Sequence, residues 1–430
     1  MKIENVKGTF DYSGSEQQIR EYIKDTLKKV FKLYGYEPLE TPILCNFDLL
    51  ALKYNPEDEI LKEIYKVTDQ GKRNLGLRYD LTIPFAKFIT IEKGLTLPYK
   101  RYEIGDVFRD GPVKAGRNRQ FVQCDVDVVG LDGANIEEEI ISIFIRGMRE
   151  FDIPFEIKIN NRKLMQGIIE SLGITSEEDI SNVIKAVDKM DKIPREDLMS
   201  ELLLLGITEN NQDLLMKYFS MSFNELKEEF KSIDNQNILE GLQELTDLME
   251  LLDYSSYSEY IKFAPTLARG QEYYTGNIFE VYAINSGIKS SIGGGGRYDK
   301  LITNWIQDGN SYPAVGISFG LNVIYEILKT REDFASKSMA QLYIVPMNTF
   351  KESLRLADTI RNFDIKVEVE MKNKKVKKAL DYANRVNIPY VIVLGENEIN
   401  EGKVKVKEMN TGKEYEISLD NISEINKIIL

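Results

Sequence analysis

The sequence predicts an α+β domain built on an antiparallel sheet and split by a helical insertion, followed by a C-terminal α/β domain of three layers. Three observations carry this expectation. Residues 97–130 and 276–292 alternate apolar and polar positions around Gly- and Pro-bearing segments, the pattern of antiparallel hairpins. Residues 163–250 are leucine-rich at helical spacing, as in "LMSELLLLGI" and "LEGLQELTDLMELL". From about residue 338, strand-like "QLYIVPM", "IKVEVEM" and "PYVIVLG" alternate with helical "FKESLRLADTIRNF" and "KVKKALDYANRV", the order of parallel β-α-β crossovers.

The remaining elements follow from local chemistry. Residues 14–34 space Ile19, Tyr22, Ile23, Leu27, Val30 and Phe31 along one helical face, and Gly35 ends that helix. "YEPLETPIL" then resembles a strand, but Pro38 and Pro42 suit an edge or interface strand rather than a central one. In "LRYDLTIPFAKFI", Asp80 and Thr82 precede a helical run near Pro84. Polar "KTREDFASKS" reads as a linker before the last domain. On pattern alone, the leucine-rich segment fits a separate helical linker domain as well as an insertion.

Composition bounds the function. At 430 residues, 43% hydrophobic and 29% charged, the chain has the make-up of a globular protein of two or three domains. Lys2, Glu4 and Lys7 do not make a targeting leader, and no run of 18 apolar residues exists, so a cytoplasmic location with no membrane contact is expected. Cys45 and Cys124 are the only cysteines and lie too far apart in sequence for a thiolate metal pair, which leaves them as buried apolar filler. The count of histidines is zero. That excludes Ser-His, Cys-His and His-metal chemistry, and no protein metal site is expected. The net charge of −13 argues against general coating of nucleic acid but permits a local basic groove.

Chemistry concentrates in four segments. In "YEIGDVFRDGPVKAGRNRQFVQCDVDVVG" (102–130), alternation puts Arg117, Arg119, Gln123, Asp125 and Asp127 on one face, with Arg109 and Lys114 in the loop, and Val122, Cys124, Val126 and Val128 on the other. Both charge signs on one face suit a ligand with an anionic and a cationic part, while a solvated face with cross-strand ion pairs remains an equal alternative. "LARGQEYYTG" sets Arg269 beside Tyr273 and Tyr274, which line a pocket or simply pack. "IGGGGRYDKL" is either a close-approach backbone or a flexible turn. Neither a Walker loop nor a dinucleotide fingerprint occurs, so a nucleotide would be held by arginines on a sheet. Asp80 either caps its helix or binds an amine.

These segments in this order resemble the class II aminoacyl-tRNA synthetases, and within them the histidyl-tRNA synthetase family. The likeness spans the chain: "KGTFDY", "ETPIL" as motif 1, "LRYDLT", "FRDGP…GRNRQFVQCDVDVVG" as motif 2, "INNRK", "LARGQEYYTG", "GGGGRYD", "AVGISFGL" as motif 3, and the C-terminal "IVLGENEINEGKVKVKEMNTG". The resemblance implies a class II catalytic domain (1–160 and 252–328), the insertion (163–250) and an anticodon-binding domain (338–430). It implies activation of histidine with ATP, with Mg2+, and transfer to tRNA(His) by a homodimer. Arg109 and Arg269 would be catalytic, flanking the α-phosphate; Arg109 and Arg117 would contact ATP. Asp80, Thr82 and Asp127 would take the α-ammonium and neighbouring polar atoms, Gln123 would lie near the carboxylate, and Tyr273 and Tyr274 would line the imidazole pocket. Lys372, Lys374, Lys375, Lys377 and Lys378 would offer a basic footprint for tRNA, or else a solvated helix start.

Two departures stand out. Asn322 and Val323 occupy the places of motif 3's acidic residue and arginine, and motif 2 carries Gly111 where an acidic residue is usual, with Asp110 one place earlier. A silent paralogue acting as a histidine- or tRNA-binding regulator, or a prolyl, threonyl or glycyl enzyme with the same C-terminal domain, would share much of the pattern. The C-terminal domain and the "YYTG" segment speak against them.

Overall fold

The computed structural model describes every residue except 1, 53–58, 93, 114–116, 191–192, 270–272, 332–333, 335–337, 373 and 430. The chain forms two compact units, residues 1–10 with 20–328, and residues 11–19 with 329–430. In chain order, the strands of the first unit are β1 (Glu37–Pro38), β2 (Leu44–Asn46), β3 (Lys66–Thr68), β4 (Asn74–Leu77), β5 (Tyr99–Phe108) and β6 (Gln120–Val129). They continue with β7 (Phe155–Asn161), β8 (Ile261–Phe263), β9 (Asn277–Ala283), β10 (Gly293–Arg297) and β11 (Ala314–Gly320).

Eight of these make one sheet in the order β1-β5-β6-β11-β10-β9-β7-β8. The six inner strands run antiparallel, and only the edge pairs β1–β5 and β7–β8 are parallel. β1 is two residues long, as Pro38 requires, since a proline cannot donate into a ladder. The rest of "YEPLETPIL" leaves this sheet, and β2 joins a small sheet ordered β2-β4-β3.

One face of the large sheet is apolar and covered by the helices Gly14–Leu33 and Ala134–Glu150. Phe319 of β11 stacks on Phe144 at 4.1 Å and meets Phe31 at 5.7 Å, with all three rings fully buried. Truncating such a ring to alanine typically costs about 3–5 kcal/mol. Val122, Cys124, Val126 and Val128 share this buried side. Helices between Arg162 and Tyr254 lie in the connection from β7 to β8.

The second hairpin departs from expectation. β9 pairs with β10, so the hairpin runs from 277 to 297 and its returning strand is the glycine run itself. Gly293–Arg297 is buried throughout and pairs on both edges, which removes the flexible-turn alternative. Glycine is required by proximity: a Cβ on Gly295 would stand 2.0 Å from the Gly316 carbonyl oxygen.

In the second unit, β12 (Leu342–Pro346), β13 (Val367–Val369), β14 (Tyr390–Leu394), β15 (Lys403–Glu408) and β16 (Glu414–Ser418) form a sheet ordered β13-β12-β14-β15-β16. The first three strands are parallel, and β15–β16 adds as an antiparallel hairpin that alternation alone had left inside the final motif. Leu342 and Ile344 face one apolar cluster with the helix Phe350–Arg361, while Tyr343 and Val345 face another with the helix Val376–Arg385, giving the three layers.

Candidate active site

The polar face of β5, β6 and β11 is buried, not solvated. Arg101 is 0% exposed, Glu103 1%, Asp127 3% and Asp125 4%. Strand register explains the pairing: Arg101 stands opposite Asp127, and Glu103 opposite Asp125. Arg101 Nη2 lies 2.8 Å from Asp127 Oδ2, Arg78 Nη1 donates to Glu103 Oε1 at 2.8 Å, and the Arg101 guanidinium lies 4.4 Å over the Phe85 ring. Tyr298 donates its hydroxyl to Asp127 Oδ1 at 2.7 Å. Burial raises the Asp125 and Asp127 carboxyls above the ordinary range, and the Arg101 guanidinium pulls both back down.

A small cavity of about 40 Å³ opens over this face. Asp80, Thr82, Arg109, Gln123, Asp127, Arg269, Tyr273 and Tyr274 all line it, so eight expected residues from three segments meet there. A cleft of about 1170 Å³ beside it shares Tyr273 and Tyr274. The larger space is lined by neither Arg109 nor Arg269, whereas both line the smaller one.

Each arginine is aimed by its surroundings. Arg109, just past β5, lies between the rings of Tyr79 at 4.2 Å and Phe121 at 4.9 Å, with its backbone N–H donating to the Arg119 carbonyl at 2.8 Å. Two aromatic faces hold a planar guanidinium flat, and its Nε donates to the Tyr79 carbonyl at 3.4 Å. Arg269 approaches from the opposite strands and donates from Nη1 to Glu280 Oε1 of β9 at 3.0 Å. Gly294 makes room for it, because a Cβ there would lie 2.6 Å from Nη1. Burial lowers the Arg269 pKa, but Tyr274, Glu280 and Tyr273 outweigh it and the group stays charged. Asn160, within "INNRK", donates to the carbonyls of Pro265 and Leu267 at 3.0 Å each and so anchors the segment leading to Arg269.

Asp80 caps its helix and also faces the cavity. Its Oδ1 accepts the Ile83 N–H at 2.9 Å at the start of the helix Thr82–Ile91, and its carboxyl also lines the cavity. That helix begins at Thr82 rather than near Pro84. Tyr273 and Tyr274 contact each other with centroids 4.7 Å apart, and Tyr273 meets Tyr298 edge-on at 5.8 Å, forming an aromatic end to the cavity.

Arg117 is placed elsewhere. It is half exposed, pairs with Glu63 at 3.3 Å and does not line the cavity. Lys114 and the 270–272 part of "LARGQEYYTG" lie outside the described residues. At the motif 2 departure, Asp110 pairs with Arg119 at 3.2 Å, and Gly111 lies where a Cβ would meet Glu63 Oε1 at 2.8 Å. At the motif 3 departure, Asn322 accepts from Arg20 at 3.1 Å and Val323 is buried away from the cavity. Arg101, Glu103, Tyr298 and Ser318 were missed from the sequence. The period-2 rule applied to "KRYEIG" would have put Arg101 and Glu103 on the Asp125–Asp127 face.

The histidyl-tRNA synthetase family model matches residues 8–324, and an anticodon-binding domain model matches residues 341–427. The chain belongs to the histidyl-tRNA synthetase family. It is 43% identical to histidine--tRNA ligase 1 of Bacillus cereus (strain ATCC 10987 / NRS 248) over 429 residues, 99% of this chain and 97% of that one. The histidine--tRNA ligase 1 of Bacillus anthracis is 43% identical over 98% of this chain and 99% of its own. Among solved structures, histidyl-tRNA synthetase from Nostoc sp. PCC 7120 superposes with TM-score 0.86 at 26% identity, covering all of both chains. A Bacillus halodurans structure titled as an ATP phosphoribosyltransferase regulatory subunit/histidyl-tRNA synthetase has the same fold, with TM-score 0.78 at 20% identity over 91% of this chain and 98% of that one. Among the described residues of this family member, no helix is long and apolar enough to cross a membrane.

Proposed function

We propose that histidine and ATP react in the cavity lined by both Arg109 and Arg269, and that this juxtaposition is the observation carrying the residue assignments. The family activity activates histidine with ATP to histidyl-adenylate and transfers the histidyl group to the 3′ end of tRNA(His). In the first step a histidine carboxylate oxygen bonds to the α-phosphorus, the bond to the β-phosphate oxygen breaks, and pyrophosphate leaves. Charge on the five-coordinate phosphorus is met by two fixed guanidiniums, Arg109 and Arg269, so the step needs positioning and positive charge and no imidazole base.

Asp80, Thr82 and Asp127 take the α-ammonium and neighbouring polar atoms, Gln123 lies by the carboxylate, and Tyr273 and Tyr274 wall the imidazole. Arg117 reaches ATP phosphates only by leaving Glu63, an exchange that its exposure permits. Among the described residues no cluster of three acidic or thiol groups could hold a metal ion, so Mg2+ would arrive on the nucleotide's own phosphates. It would supply charge neutralisation there.

Exposed Ile43 and Leu44, in the motif 1 segment, support a homodimer. A cytoplasmic location fits a translation enzyme. The C-terminal unit would read the anticodon. Histidine-dependent ATP–pyrophosphate exchange tests the first step, and aminoacylation of tRNA(His) the second. Folded protein that performs neither would return the regulatory reading.

A further inference from the structure

The cavity floor holds an acceptor that the assignments above leave unused. Asp125 sits mid-strand on β6 between Gln123 and Asp127, nine-tenths buried or more, and its Oδ1 has no hydrogen-bond partner. Ser318, directly across on β11, bonds the Asp125 carboxyl through its hydroxyl and accepts from Gln123 Nε2 at 3.2 Å. That leaves Gln123 Oε1 buried and unpartnered too. Both residues line the cavity. Buried acceptors without donors are costly, so orphan oxygens on two residues that line one cavity call for a ligand rich in donors.

The charge balance selects the kind of donor. Asp80, Asp125 and Asp127 line the cavity and Glu103 lies behind them, while Arg78 and Arg101 are the guanidiniums packed against this set. Even with Asp125 left uncounted, Asp80, Asp127 and Glu103 outnumber the two guanidiniums, so the floor is anionic and the Arg109–Arg269 end cationic. An ammonium offers three N–H donors and no acceptor, which is the complement of this floor.

Register selects the position. β6 passes from Phe121, beneath Arg109, through Gln123 and Asp125 to Asp127, where Tyr298 donates and the aromatic end begins. Same-face residues two apart are about 6–7 Å apart along a strand. An amino acid with its carboxylate toward Arg109 and its ring toward the tyrosines carries its α-ammonium over the middle position.

We infer that Asp125 is a substrate-binding residue that takes the α-ammonium of the amino-acid substrate through Oδ1, beside Asp80, Thr82 and Asp127, with Ser318 as the positioning residue that orients it. The inference rests on the histidine reading above.

The test is ATP–pyrophosphate exchange on the full chain with Asp125→Asn and Ser318→Ala, together with competition by histidinol, which keeps the amine, and imidazole-propionate, which lacks it. Asp125→Asn should raise the KM for histidine about 10- to 100-fold, the loss of one charge-assisted bond, and change the KM for ATP less than about twofold. The preference of the wild type for histidinol over imidazole-propionate should collapse in this variant. Should Asp125→Asn not fold, Ser318→Ala keeps the carboxylate and should raise the histidine KM about 3- to 10-fold, the loss of a neutral hydrogen bond, with kcat and the ATP KM held. An unchanged histidine KM in either folded variant overturns the inference, as does an equal loss of both competitors. Wild-type protein without histidine-dependent exchange takes down the functional reading itself, whereas normal wild-type exchange beside normal variants sinks only the role of Asp125.

Discussion

Arg101 and Asp127 face each other across β5 and β6 with Nη2 2.8 Å from Oδ2, and Arg101 is wholly enclosed. The pair ties the sheet that carries the cavity to the carboxylate that lines it. Replacing one partner of such a pair strands the other charge, which typically costs about 3–5 kcal/mol. Arg101→Met should therefore lower the urea midpoint sharply before any change in substrate binding can be read. An unfolding free energy within 1 kcal/mol of wild type, on the order of a surface substitution, would contradict the account.

Arg109 should separate catalysis from stability. It is half-buried and its ring contacts are worth about 1 kcal/mol, so Arg109→Ala should unfold near the wild-type midpoint. Its pyrophosphate exchange should fall about 10²- to 10³-fold, the loss expected when one group stabilising transition-state charge is removed. Arg109→Lys keeps the charge but not the planar fork, and should recover only part of the rate.

Gly316 should resist any side chain. A Cβ there would lie 1.9 Å from Asp127 Oδ1, so Gly316→Ala must displace Asp127 from Tyr298. The expected result is a folded or marginal protein with greatly weakened histidine binding, measured by calorimetry. Tight histidine binding by this variant would show that Asp127 is not held where described.

The ligand-free protein should lose stability as pH rises. Burial lifts the Asp125 carboxyl to about 8, with Arg101 opposing and Asp127 reinforcing; Glu103, Ser318, Tyr298 and Asp80 also face this group. A carboxyl raised in the folded state keeps protons that the unfolded chain has already released, so its contribution is full below about pH 4 and lost as pH climbs through about 8. Urea midpoints between pH 5 and 9 should fall, and Asp125→Asn should flatten that slope.

In the C-terminal unit the lysines divide. Lys374 pairs with buried Glu370 at 2.8 Å and lies 4.1 Å over the Tyr382 ring, which makes it structural. Lys375, Lys377 and Lys378 lie at the start of the helix Val376–Arg385. Reversing these three charges should raise the KM for tRNA(His) and leave pyrophosphate exchange unaltered. Equal tRNA kinetics in the triple variant would assign them to solvation alone.

Much of the site was legible because strand alternation is local: "QFVQCDVD" displays its two faces by position, and both faces are where the period puts them. The glycine run left two readings open because a strand of glycines carries no side-chain pattern, and only the approach of Gly316 decides between them. Arg117 misled for the opposite reason. It follows the same period but precedes β6, where the ladder no longer governs its direction.

Periodicity and the order of the motifs determined, from the sequence alone, the layers of the fold, and the absence of histidine turned the expected chemistry toward arginine. Whether the mixed charges of one hairpin would be solvated or buried was decided only in three dimensions. β11 and Tyr298, far along the chain, close over β6, and a charged side chain's environment depends on what covers it rather than on its neighbours in sequence.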